Sequence, residues 1–223
     1  GWKLGVQAWT FNRFSLFEAI DKTSALGLSW MEAFPGQKLG GDYPDAKFGP
    51  NMSDEHKKAV KDKLKDAGVN IVAMGVTNIP ADETKARPIY EFAKDMGIEV
   101  ITSEPADDAF DTIEKLCIEY DIKVAMHTHT KAGKLYSKHW NPYRWYALCQ
   151  GRNYRVGLCL DTGHVARSGI KPAQAIEDMH DRIISLHLKD VAKFNENSED
   201  VIFGTGEAAM AEAFKTLAEW RFA

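Results

Sequence analysis

Short apolar runs alternate with helical stretches along almost the whole chain, and in most runs an ionisable residue falls at the C-terminal end. The β-like runs are Leu4–Trp9, Trp30–Phe34, Asn70–Val76, Val100–Glu104, Val124–His129, Val156–Asp161 and Ile183–Lys189. Alternation of this kind implies a parallel sheet with right-handed crossovers. Strands of this length, linked by single helices, suit a β/α barrel or a doubly wound sheet. No GxGxxG follows the first run, and Gly204-Thr205-Gly206 is too short and too late to serve as one, which weakens the dinucleotide-fold option.

The helical stretches carry readable ends. Ser15-Leu16-Phe17-Glu18 has the pattern of a capping box, with Gly27 at the far end. Ser53 opens a charged helix that stops at Gly68, and its Glu55–Asp66 run reads as a solvated face. A third helix ends at Gly97, and Pro88 predicts a start near Arg87 or a kink. Asp107–Tyr120 places Ala109, Ile113, Leu116 and Cys117 on one face. Pro172 suits the first turn of a Lys171–Asp181 helix, and Glu207–Trp220 forms the last. An eight-fold barrel needs one more strand, but the sequence stops at Trp220-Arg221-Phe222-Ala223. The expectation is therefore one barrel domain over residues 1–223, C-terminally incomplete. Its sheet would be open, or closed poorly, between the first and seventh strands, with Trp220 and Phe222 near exposed apolar surface.

The two-residue period of strands separates an aliphatic face from a small or polar one. Leu158 and Leu160 oppose Gly157, Cys159 and Asp161; Val124 and Met126 oppose Ala125, His127 and His129; Ile184, Leu186 and Leu188 oppose Ser185, His187 and Lys189. In a barrel the polar faces point inward, and the C-terminal strand ends line the mouth where active sites sit. Gln7, Glu32, Glu104, His127, His129, Asp161, His187 and Lys189 would then converge, and Trp9 shares the face of Gln7. Imidazoles and carboxylates together suit a divalent cation, with Mn, Zn, Co and Mg all compatible. The absence of paired thiolates favours an open site over a closed structural zinc site. Each residue also has a plainer reading. Glu104 could cap the helix after Pro105, Lys189 and Asp190 could be a solvated pair, and the aromatics of His139–Tyr146 read as core.

Bulk properties set limits on partners. Net charge is −4 with no basic block, which argues against nonspecific nucleic-acid or anionic-membrane binding. No apolar run approaches the ~18 residues that cross a bilayer. Cys117, Cys149 and Cys159 lack CxxC spacing and read as buried thiols. The chain starts at Gly1 without Met, so a cytoplasmic location and export after loss of a leader both stay open.

With these residues in place, the chain resembles the xylose-isomerase-like TIM-barrel superfamily, in its sugar phosphate isomerase/epimerase branch. The resemblance runs from Leu4 to about Phe214. Its most specific parts are Gly157-Leu158-Cys159-Leu160-Asp161-Thr162-Gly163-His164 and Ser185-Leu186-His187-Leu188-Lys189-Asp190, supported by Met126-His127-Thr128-His129 and Phe203-Gly204-Thr205-Gly206-Glu207. The resemblance implies a metal held by His127, Asp161 and His187, with His164 beside metal or substrate. Two departures stand out: His127 replaces the usual Glu, and the strand-eight Glu has no counterpart, which leaves Glu104 as the residue to compensate. The implied activity is isomerisation or epimerisation of a sugar or sugar phosphate through an enediolate. Glu104 and His129 are the base candidates and Lys189 an oxyanion stabiliser, while Glu32, His164 and Trp9 would contact a small carbohydrate. An oligomer is compatible with this reading. The alternatives are a metal-dependent keto-sugar glycoside hydrolase or lyase, and a catalytically inactive sugar-binding barrel. Apurinic-site DNA cleavage also occurs in the superfamily, but the net charge argues against it.

Overall fold

A computed structural model of the chain describes residues 2–131 and 138–220. They form two compact units, one spanning Lys3–Lys123 and the other running from Val124 onward and including Trp2.

The N-terminal unit contains β1 (Gly5–Gln7), α1 (Leu16–Ala25), β2 (Trp30–Ala33), β3 (Lys38–Gly40), β4 (Tyr43–Lys47), α2 (Asp54–Ala67), β5 (Asn70–Thr77), α3 (Glu83–Asp95), β6 (Val100–Ser103) and α4 (Phe110–Tyr120). Its parallel ladder has the order β1-β2-β5-β6. The capping box forms: Glu18 N donates to Ser15 Oγ at 3.3 Å, and Ser15 N donates to the Glu18 carboxylate at 2.8 Å. That cap fixes the start of α1, whose Leu16, Ala19, Ile20 and Thr23 are buried. Ser53 caps α2, and Gly68 ends it in the left-handed region at φ 66°. Only Val60 and Leu64 of α2 are buried, so its charged run is the solvated face expected.

Two features of this unit differ from the sequence reading. Helix α3 begins four residues before Arg87, where Asp82 accepts from Thr84 N, so the later start does not occur and Pro88 lies inside the helix, where the alternative reading had it. The proline forfeits one helical hydrogen bond, and Phe92, Ala93 and Tyr90 hold the helix down by burial. The hairpin of β3 and β4 was not anticipated, because its strands are too short to show alternation; Gly40 and Gly41 turn the chain there with φ of 84° and 58°.

The C-terminal unit contains β7 (Lys123–His127), α5 (Pro142–Cys149), β8 (Val156–Asp161), α6 (Thr162–Arg167), α7 (Pro172–Met179), β9 (Ile183–His187), β10 (Asp190–Val191), β11 (Asp200–Val201) and α8 (Met210–Glu219). Strands β7, β8 and β9 form a parallel ladder in register His127 with Cys159 and Asp161 with His187. β8 is buried along its whole length, as a strand covered on both faces must be. Strands β7 and β9 stop at His127 and His187, two residues short of the sequence expectation. β9 stops where β8 does, since His187 pairs with Asp161, whose side chain turns to cap α6. β7 leaves the ladder earlier, after His127 has paired with Cys159, and the N–H of His129 donates to the carbonyl of His139 instead. Helices α5 and α6 were also not anticipated; Asn141 with Pro142 opens the first and Asp161 the second.

Among the described residues the two units together hold seven parallel strands, the number read from the sequence. Cys117, Cys149 and Cys159 are buried thiols, and burial pushes the Cys149 thiol up to about 12. Of the aromatic run read as core, Trp145 is fully buried, Trp140 and Tyr146 are partly buried, and Tyr143 is exposed, so the core reading holds for Trp145 alone. Trp220 is 43% exposed, stacks on His180 at 3.5 Å and donates to Glu177; Phe222 lies outside the described residues. No helix among the described residues is long and apolar enough to cross a membrane.

Candidate metal centre

The candidate site is built at the C-terminal ends of β7, β8 and β9, and its reference point is Asp161. The side chain of Asp161 is fully buried. Its backbone N–H donates to Thr128 Oγ1 at 2.8 Å, which ties the end of β8 to the segment after β7. Its Oδ1 accepts from His164 N at 2.9 Å and so caps α6. That leaves Oδ2 for the imidazoles. His127 Nε2 stands 3.7 Å from Oδ2, His187 Nδ1 3.8 Å and His164 Nε2 4.0 Å. Lys189 Nζ is nearer, at 2.8 Å.

Each neighbour is held by its own local device. Register on β8 sets His127 and His187. His164 comes from the first turn of α6, one turn after Asp161, and its ring stacks on His129 with centroids 4.2 Å apart. His129 lies beyond β7, where its N–H donates to the carbonyl of His139 at 3.0 Å. The Thr162 hydroxyl both accepts from Lys189 N and donates to Lys189 O, each at 2.8 Å, so Lys189 leaves β9 on a fixed backbone. Gly163 permits this approach, since a Cβ there would stand 2.8 Å from Lys189 Cβ.

Electrostatics follow from burial and charge. Burial raises the Asp161 carboxyl, but His127, His164 and Lys189 overcome it and hold the group well below the usual carboxylate range. Burial pushes the His164 imidazole down to about 3, only partly offset by Asp161, so the ring is neutral at ordinary pH. His164 Nδ1 is buried without a hydrogen-bond partner. One ligand atom from each of His127, Asp161 and His164 lies within 4.8 Å of the others. A buried anionic oxygen ringed by imidazole nitrogens, one ring neutral with an unsatisfied nitrogen, is a donor set that fits a divalent cation.

The structure thus brings together His127, His129, Asp161, His164, His187 and Lys189, all within the C-terminal unit. The solvated Lys189–Asp190 pair is not what forms. Asp190 is 1% exposed and accepts backbone N–H groups from Val191, Gly204, Gly206 and Ala208, at 2.9, 2.9, 3.0 and 3.2 Å. Asp190 therefore pins the Gly-rich turn, a role that its sequence position alone did not signal. Thr128 and Thr162 were likewise missed as organisers of the site. Both hydroxyls sit inside the quoted motifs, but nothing in their spacing marks the bonds they make.

The remaining expected residues belong to the N-terminal unit. Trp9 lies in a 3-10 turn after β1, 61% exposed, with its ring edge-on to Phe34 at 5.1 Å. Glu32 is buried near the end of β2, in register with Gln7. Glu104 follows β6, and its N–H donates to Thr77 O at 3.2 Å. The 3-10 turn after Pro105 starts from Ala106, whose own side chain makes no cap.

The family described as the Xylose isomerase-like TIM barrel matches residues 20–223, across both units. The chain belongs to this family. Its α/β fold is accordingly of the xylose isomerase-like barrel type. Solved structures agree with that assignment. An uncharacterized protein from Parabacteroides distasonis is 31% identical with a TM-score of 0.78, over 99% of this chain and 87% of its own. A D-tagatose 3-epimerase-like protein is 19% identical with a TM-score of 0.72, over 98% of this xylose isomerase-like chain and 86% of its own. A D-psicose 3-epimerase, solved in the presence of D-fructose, is 14% identical with a TM-score of 0.70, over 99% and 82%. No curated protein matches the chain in sequence.

Proposed function

We propose that this xylose isomerase-like chain is a divalent-metal-dependent isomerase or epimerase acting on a sugar or sugar phosphate. The observation that carries the reading is the gathering of His127, His164, His187 and Lys189 around one buried oxygen of Asp161. The sugar epimerases among the structures it resembles support the same substrate class.

In this reading His127, Asp161 and His187 hold the cation, with His164 close enough to join them. When bound, a divalent cation supplies Lewis acidity to adjacent carbonyl and hydroxyl oxygens of a sugar. His129, stacked on His164, would take the proton beside the carbonyl and return it to the neighbouring carbon or the opposite face. Lys189 brings a positive charge to the oxygen on which negative charge develops. Burial of Asp161 and His127 keeps water from the ligand side. Glu104 is proposed as a second base, and Glu32 and Trp9 as sugar contacts, on the strand-end pattern of the sequence.

The test is elemental analysis of the purified protein, followed by a screen of aldoses, ketoses and their phosphates after reconstitution with Mn2+, Zn2+, Co2+ or Mg2+. Interconversion that disappears with chelator is the expected result. A protein that binds none of these ions would overturn the reading.

A further inference from the structure

Lys189 stands in a position that the catalytic reading does not explain. Asp161 has two oxygens. Oδ1 is committed to the N–H of His164, so Oδ2 is the one that faces His127, His164 and His187. Among the described residues the nearest cationic group to Oδ2 is the Lys189 ammonium, at 2.8 Å, against 3.7 to 4.0 Å for the imidazole nitrogens of His127, His187 and His164. An ammonium and a divalent cation repel each other, and inside a protein that repulsion is weakly screened. One carboxylate oxygen at that depth does not serve both.

The way Lys189 is built allows exchange. Thr162 clamps its backbone N–H and carbonyl, each at 2.8 Å, so the main chain stays in place. The side chain is different: four methylenes long and 33% exposed, against full burial for Asp161. A flexible stem of this kind can carry its charge toward solvent while its root is fixed.

We infer that Lys189 is an internal counter-ion that competes with the metal for Asp161 Oδ2, and that cation entry releases its ammonium toward the substrate side. The inference rests on the metal-binding reading above and adds to it the order of events: the charge that would meet a substrate oxyanion or phosphate becomes available only once the cation is in place. Until then the ammonium neutralises a buried carboxylate that would otherwise stand among imidazoles alone.

Calorimetric titration with Zn2+ or Mn2+ alone tests this on the wild-type chain, Lys189→Met and Lys189→Arg. Lys189→Met is expected to bind the ion about tenfold more tightly than wild type, because a competing charge at a few ångströms is gone. Lys189→Arg, which keeps the charge, is expected to stay near wild type. A second readout needs no variant: acylation of Lys189 by an amine reagent, followed by mass spectrometry, should quicken several-fold when the ion is added. Tight binding by Lys189→Met with none by wild type also supports the inference. Equal or weaker binding by Lys189→Met, with an unchanged acylation rate, overturns the counter-ion role while leaving the metal reading intact. Binding by none of the three proteins overturns both. If Lys189→Met does not fold, the acylation rate of the wild-type chain decides.

Discussion

Asp161 serves two structures at once, and its two oxygens divide the work. Oδ1 caps α6 and Oδ2 faces the imidazoles. Asparagine keeps an oxygen for the cap but loses the charge. Asp161→Asn is therefore expected to fold, with an unchanged far-ultraviolet circular dichroism spectrum, and to lose affinity for divalent ions by at least about 100-fold, beyond the range seen when only a supporting residue is removed. Wild-type affinity in that variant would remove Asp161 from the ligand set. Gly163 is a second residue on which the site turns. A methyl group there would meet Lys189 Cβ at 2.8 Å and the Arg167 guanidinium at 3.1 Å, with both neighbours anchored. Gly163→Ala is expected to cost about 1–3 kcal/mol in denaturant unfolding, the usual range for forced overpacking. An unchanged midpoint would show that α6 shifts freely against the end of β9.

Elements were legible where the signal was local. The Ser15 and Ser53 caps, the Gly68 stop and the Pro172 start depend on a few neighbouring residues, and all appear in the structure. Ser15→Ala removes a two-way cap and is expected to cost about 1 kcal/mol. Chemical denaturation reads this directly, and no change would mean that the buried face of α1 alone holds the helix. The seven parallel strands were legible because β-branched and aliphatic runs bounded by polar loops persist even in short strands. Strand β8 was read with both its ends, Val156–Asp161, but the C-terminal ends of β7 and β9 were not. Whether β7 runs to His127 or His129 depends on the N–H of His129, which bonds to the carbonyl of His139, ten residues on, rather than to β8. That is tertiary information. Helix α3 shows the same limit: Pro88 argues for a later start, yet the burial of Ala86, Tyr90 and Phe92 outweighs one lost hydrogen bond. In the site, the strand-end histidines and Asp161 were readable from a two-residue period. The Thr128, Thr162 and Asp190 bonds were not, because each joins a hydroxyl or carboxylate to a backbone group many residues away.

At the scale of the whole chain, charge and chemistry each give a test. Lys115 and Arg87 hold the Glu83 carboxyl below its ordinary value, Arg87 does the same for Glu119, and Lys61 and Lys57 for Asp95. A carboxyl depressed in the folded state contributes stability that is present above its ordinary pKa and lost as pH falls through the folded value. These groups should therefore leave stability flat above about pH 5 and erode it below about pH 4.5, with the erosion reduced in about 1 M salt. Thermal unfolding across that range checks the direction, and stability that rises on acidification would contradict the ion-pair assignments. The chemistry has a more direct test. Proton abstraction beside a sugar carbonyl exchanges that hydrogen with solvent. The decisive measurement is proton NMR of ketohexoses, ketopentoses and their phosphates in heavy water, with the protein reconstituted with Zn2+ or Mg2+. The expected result is loss of the signal of the hydrogen beside the carbonyl and growth of an isomer or epimer, both abolished by chelation and by Asp161→Asn. A protein that holds the ion and binds a sugar, yet exchanges no hydrogen on any of them, would contradict the proposed activity and leave a sugar-binding barrel in its place.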